Sequence, residues 1–166
     1  MFEFKRVLNH LCTGRAQVRR AFPAATLATI EAAIRGCEAT HAGQLRFAVE
    51  GGLDGWPLLR GLRPRERALQ VFAELGVWDT EHNNGVLLYL LLADRDVEIV
   101  ADRGIGARVP QAEWEAICRR MESEFRAGRF EAGALAGIDE IGRLLARHFP
   151  ARATAPNELD DRPALL

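Results

Sequence analysis

Apolar positions recur along most of the chain, and the spacing at which they recur changes from segment to segment. Phe4, Val7, Leu8 and Leu11 keep helical spacing until Gly14, which predicts a short amphipathic helix over residues 3–13. Pro23 opens a second helical pattern, with Leu27, Ile30, Ile34 and Cys37 on one face and a stop between Thr40 and Gly43. From Gln44 to Glu50 the period drops to two. Leu45, Phe47 and Val49 fall on one side and Gln44, Arg46 and Ala48 on the other, as in a strand. Gly51, Gly52, Gly55 and Pro57 mark a loop, and Pro64 then starts a helix with Ala68, Leu69, Phe72 and Leu75 inward, ending near Gly76. After the polar run from Trp78 to Gly85, residues Val86 to Leu92 are apolar without a break. Such a strand needs cover on both faces, which places it at the centre of the sheet.

Ala93 to Asp96 reads as a tight link, and Val97 to Ala101 as a third strand forming a hairpin with the second. Asp102 to Gly106 is a glycine-punctuated loop. Pro110 begins a helix carrying Trp114, Ile117, Cys118, Met121 and Phe125 on one face, closed by Gly128; a last helix covers 130–149, where Gly133 and Gly137 suggest close approach to the sheet. Residues 151–166 lack periodicity and contain Pro156 and Pro163, so a disordered tail is expected. The pattern predicts an α/β chain, a three-layer α/β/α sandwich with a mixed central sheet. It divides into a basic amphipathic segment over 1–22, the domain over 23–150 and the tail.

Composition narrows this picture more than it extends it. With 166 residues and a net charge of -1, the chain reads as a single soluble domain, and its pI near 6.4 argues against a nucleic-acid binder. The longest apolar run is far shorter than the roughly 20 residues a membrane span needs. Cys12, Cys37 and Cys118 are widely spaced and form no metal-binding pattern, which favours reduced thiols and a cytoplasmic location; no signal-peptide pattern precedes the domain. The near-zero balance nevertheless hides an asymmetry. Residues 1–22 carry Lys5, Arg6, Arg15, Arg19 and Arg20 against Glu3, a local charge of +4. Docking of this segment on the domain, attachment peripherally to an anionic membrane surface, and self-association are three open readings.

If the first two strands run parallel, joined by a right-handed crossover, the polar groups sort to two opposite edges of the sheet. One edge collects His41, Gln44, Glu81, His82, Asn83, Asn84, Asp102 and Arg103; the other collects Glu50, Asp54, Asp94, Arg95 and Asp96. On the first edge Glu81, Asp102, Asn83 and Asn84 are hard oxygen donors suited to Mg²⁺ or Ca²⁺. Arg103 could hold a phosphate and His82 relay a proton, which makes Asp102, Arg103 and His82 the catalytic candidates. A plainer account stands beside this one: Asn84-Gly85 makes a turn, Asp102 caps loop amides and His82 is solvated. Gly104 and Gly106 do not form a dinucleotide fingerprint, because Val109 stands where a third glycine is required.

The ordered succession of His41-Ala-Gly-Gln-Leu-Arg46, Trp78 to Asn84-Gly-Val-Leu-Leu-Tyr-Leu-Leu-Leu92, Ala93-Asp-Arg95, Asp102-Arg-Gly-Ile-Gly106 and Gly128-Arg-Phe-Glu-Ala-Gly133 resembles the TPM domain family, in its short bacterial form. The resemblance spans about residues 23–149. It implies an α/β/α fold and either weak acid phosphatase activity, divalent-metal binding, or a part in assembling and maintaining membrane protein complexes with a protein partner. Two positions depart from the pattern. Many members have an acid where this chain has Asn83, and shorter members often have Glu where Gln44 stands. Each exchange removes a negative charge from the implied metal site. Two functions follow as expectations: a non-enzymatic binding module near a membrane complex, or a metal-dependent phosphatase-like hydrolase.

Overall fold

A computed structural model of the chain describes residues 2–151 and 156–166, with side chains from Phe4 onward. The chain begins with α1 (Phe2–Cys12), α2 (Arg15–Ala21) and α3 (Ala24–Glu38), which lead into β1 (Gln44–Glu50). Next come α4 (Gly55–Leu59), α5 (Pro64–Glu74), β2 (Gly85–Leu91) and β3 (Asp96–Ala101). After them lie α6 (Arg103–Gly106), α7 (Gln111–Arg126), α8 (Phe130–His148) and β4 (Ala164–Leu165). The long helices and three main strands fall where the periodicity predicts. The short α2, α4 and α6 were not expected, since one or two turns carry too few positions to establish a period.

The sheet is mixed, in the order β3-β2-β1-β4. β1 and β2 run parallel with Gln44 beside Gly85 and Glu50 beside Leu91, while β3 returns antiparallel to β2. Every residue of β2 is buried, because each face of the strand meets a different set of helices. Leu88 and Leu90 join Phe47, Ile30, Ile117, Ile138 and Ile141 in the core beneath α3, α7 and α8. Leu87, Tyr89 and Leu91 join Ala48, Leu58, Ala68 and Val71 in a second core beneath α4 and α5. The unbroken apolar run is thus two interleaved alternations, one for each layer. Gly133 and Gly137 face Phe125 and Met121, so the close approach they permit is between α8 and α7, whereas the sequence reading assigned it to the sheet.

Two terminal segments are fastened to this frame. Arg6 donates to both carboxylate oxygens of Asp94, and its Nη2 also reaches the Leu62 carbonyl at 2.9 Å. Buried His10 lies beside the same carboxylate with Nε2 3.0 Å from Asp94 Oδ1, while the Leu53 amide donates to its Nδ1 at 2.9 Å. Because Nδ1 accepts, the ring is neutral with its proton on Nε2, so both nitrogens are satisfied in a buried position. Thus α1 is docked through Arg6, Val7 and His10 onto the end of the sheet where β1 and β2 finish.

The other fastened segment corrects the expected disordered tail. Residues 152–155 lie outside the described residues, but 156–166 run along the open side of β1 and end as β4, parallel to it. Ala164 pairs with Ala48 and Leu165 with Val49, and the Leu166 amide donates to the Val49 carbonyl at 2.9 Å. The cause is long-range: main-chain bonds to an otherwise unpaired strand edge order a stretch that has no pattern of its own.

Candidate functional site

The candidate residues at the first edge come from three strand ends that the main chain ties together. The Gln44 amide donates to the Asn84 carbonyl at 2.9 Å, and the Asp102 amide to the Gly85 carbonyl at 2.8 Å. Gln44, Asn84 and Asp102 are therefore neighbours, as the parallel arrangement of β1 and β2 requires. Gly85 and Gly104 explain the close fit. A Cβ on Gly85 would lie 2.0 Å from the Val77 carbonyl oxygen, and one on Gly104 would lie 2.5 Å from that of Asn83. Both glycines thus let the loop from Val77 to Asn84 lie flat on the sheet end. Asn83 itself sits at φ 51°, a left-handed conformation that asparagine adopts more readily than most side chains.

The polar side chains divide into those already engaged and those left open. Asn83 Oδ1 accepts from Arg103 Nε at 3.1 Å, and Asp102 Oδ1 caps α6 by accepting from the Arg103 amide at 2.7 Å. The Asn84 side-chain amide donates to the Ala42 carbonyl at 2.5 Å. Glu81 and His82 are exposed; the Glu81 amide donates to the Glu158 carboxylate at 2.9 Å. His41 is buried against Gly142 of α8 with no partner for either ring nitrogen, and burial pushes its pKa below the usual imidazole range. Two oxygens at this edge, Asp102 Oδ2 and Asn84 Oδ1, are also buried without a partner.

The divalent cation implied by the sequence resemblance can be tested against this donor set. Asp102 Oδ2 and Asn84 Oδ1 are available, but Asn83 Oδ1 is occupied by a guanidinium. Among the described residues no three His, Cys, Asp or Glu side chains gather closely enough to hold a metal. Ca²⁺ and Mg²⁺ take six or more oxygens and draw affinity from several carboxylates. One carboxylate beside Arg103 does not fit that demand.

What does occupy the edge is the chain's own C-terminal segment, which the sequence offered no signal for. Gln44 Oε1 accepts from the Glu158 and Leu159 amides at 2.8 and 3.2 Å. Arg46 donates to the carbonyls of Asp160 and, at 2.6 Å, Arg162. Asp161 is buried with Arg35 Nε at 3.4 Å and takes a bond from Asn157 at 2.9 Å. Nearby Glu38 accepts from the Leu45 amide at 2.6 Å. Burial, with the neighbouring Asp161 adding to it, pushes the Glu38 carboxyl up to about 8.

A mixed sheet in three layers, with an Asn-Gly strand opening and a glycine turn meeting at one end, defines the class of protein. A family model described as the TPM domain matches residues 18–144, and the chain belongs to that family. Among solved structures it is similar to the BA42 protein of the psychrophilic bacterium Bizionia argentinensis, with 28% identity, a TM-score of 0.77 and coverage of 87% of this chain and 95% of that one. The N-terminal domain of a P. gingivalis protein shares the fold at 23% identity and a TM-score of 0.59, covering 79% and 82% of the two chains. No curated protein matches the chain.

Proposed function

We propose that this TPM domain is a non-catalytic binding module that receives an extended peptide along the open side of β1 and across the ends of β1 and β2. The observation that carries the reading is the seating of residues 156–166 in that place. Gln44 and Arg46 engage the segment through its main chain, which any sequence can offer, and β1 supplies a strand edge. The exchange at Gln44 agrees with this use. An amide at Gln44 accepts peptide N–H groups, and its NH2 group adds a donor that a carboxylate lacks. Such a module suits a role in holding or maintaining a protein complex.

The test weakens the internal occupant and supplies an external one. Glu158→Pro with Leu166→Pro removes two amide donors, each contributing about 1 kcal/mol. A synthetic peptide copying residues 156–166, titrated into that variant, is expected to give saturable amide shifts at Gln44, Arg46 and Val49. Absence of such shifts while the residues of the variant's own segment show random-coil positions overturns the reading.

A second reading, hydrolysis of phosphate esters, is favoured by one observation: the unpartnered Asp102 Oδ2 beside Arg103. Turnover of p-nitrophenyl phosphate with Mg²⁺, Mn²⁺ or Ca²⁺ that disappears in Asp102→Ala would establish it. The binding-module reading expects none above background.

A further inference from the structure

We infer that the outward faces of α1 and α4 form a patch that binds an anionic lipid surface. It lies on α1 and α4 where β1 and β2 finish and uses none of the side chains that engage residues 156–166, so it stands independently of the function proposed above. The reasoning begins with α1. Arg6 and His10 fix its rotation by gripping Asp94, and Val7 packs into the core beneath α4 and α5. With that face committed, Phe4, Leu8 and Leu11, spaced by four and three residues, fall together on another face. On α4, which contacts α1, Trp56 and Leu59 are likewise outward. These five large apolar side chains keep 52–75% of their surface in water. Docking therefore consumes only part of the apolar stripe of α1, and the remainder is extended by a second helix. Isolated exposed apolar residues need no explanation, but neighbouring clusters of this kind mark interaction surfaces.

Charge decides the occupant. Among the described residues, Lys5 and Arg60 form no ion pair, and neither do Arg15, Arg19, Arg20, Arg63, Arg95, Arg103 and Arg108, whereas every arginine from 119 to 147 has a carboxylate partner. The cations without a partner that border the apolar patch are thus Lys5 on α1 and Arg60 at the end of α4. Arg60 lies over the Trp56 ring at 5.0 Å, which places an indole and a guanidinium together, the pairing that suits the headgroup level of a bilayer. A groove of ≈ 700 Å³ runs between the helices with Phe4, Lys5, Leu59 and Arg60 on its walls; the acid it contains, Asp94, is already held by Arg6 and His10. Apolar side chains flanked by free cations match acyl chains beneath anionic phosphates. Among the described residues no helix is long and apolar enough to cross the membrane, so the contact is at the surface.

The experiment is cosedimentation of the full chain with phosphatidylcholine vesicles, with and without 30 mol% phosphatidylglycerol, at low and high salt, alongside light-scattering mass. The chain is expected to pellet with anionic vesicles, to release as salt rises, and to ignore neutral ones. Lys5→Gln with Arg60→Gln should weaken partitioning about 30-fold, since each cation near such a surface contributes about fivefold. Leu8→Gln with Leu59→Gln should weaken it about tenfold or more through lost apolar burial. These four sites are exposed, and circular dichroism checks that the fold persists. Failure to pellet with anionic vesicles, or pelleting unchanged by both double variants, overturns the proposal. So does a dimer mass abolished by the leucine exchanges, which would make the patch an interface between copies.

Discussion

A methyl group at Gly85 would stand 2.0 Å from the Val77 carbonyl oxygen, and backbone cannot step aside as a side chain can. Gly85→Ala is accordingly expected to lower unfolding stability by about 3 kcal/mol, read as a shifted urea midpoint with an unchanged slope. The Asn-Gly pair is conspicuous in the sequence as a turn, but what makes its glycine indispensable is a carbonyl eight residues upstream, which no local pattern reveals. Glu38 makes a second residue-level point. Its folded pKa of about 8 exceeds the ordinary 4.5, so the native state holds this proton where the unfolded chain has released it. The contribution of Glu38 to stability is therefore fully present below about 4.5, falls as pH rises toward about 8, and is lost above that. Glu38→Gln keeps an oxygen for the Leu45 amide while removing the titration. Thermal melts across that window should show a flatter pH dependence in the variant.

Among the elements, those that bury a regular stripe were legible and those held by single distant contacts were not. The alternation in β1, the apolar run of β2 and the helical faces of α3, α5, α7 and α8 each state their burial directly. β4 has two residues and exists because β1 offers an edge; α6 is one turn nucleated by the Asp102 cap. The candidate site shows the same division. Sequence spacing brought Gln44, Asn84 and Asp102 to one end, yet it could not show that Asn83 is spent on Arg103 or that the C-terminal segment lies across Gln44. For α1 the pattern left docking and surface attachment as alternatives, and the docked helix keeps an apolar face outward. Asp94→Ala strands both Arg6 and His10, and should destabilise α1 by about 2 kcal/mol. Hydrogen exchange should then accelerate in α1 alone, while Asp94→Asn, which still accepts from His10 Nε2, should give a smaller effect.

At the scale of the molecule, one end and one edge of the sheet do different work: the end where β1 and β2 finish holds a helix whose remaining face is apolar and basic, and the open edge of β1 holds the C-terminal residues 156–166. Arg46 is the main polar tie of that terminus, its side chain only 12% exposed and spanning the carbonyls of Asp160 and Arg162. Arg46→Ala should leave the far-ultraviolet spectrum unchanged and speed exchange of the Glu158, Leu159 and Leu166 amides about tenfold or more. The tie between β4 and β1 also sets a threshold. Because the segment is tethered to Pro150 through a few residues, it faces the β1 edge at an effective concentration on the order of millimolar. A peptide in solution making only the same contacts would lose that competition at ordinary cellular levels. If the edge receives a peptide as proposed, it acts as an affinity filter, admitting only a partner that binds far more tightly than residues 156–166 do, or a comparable strand once a protease has cut the tether.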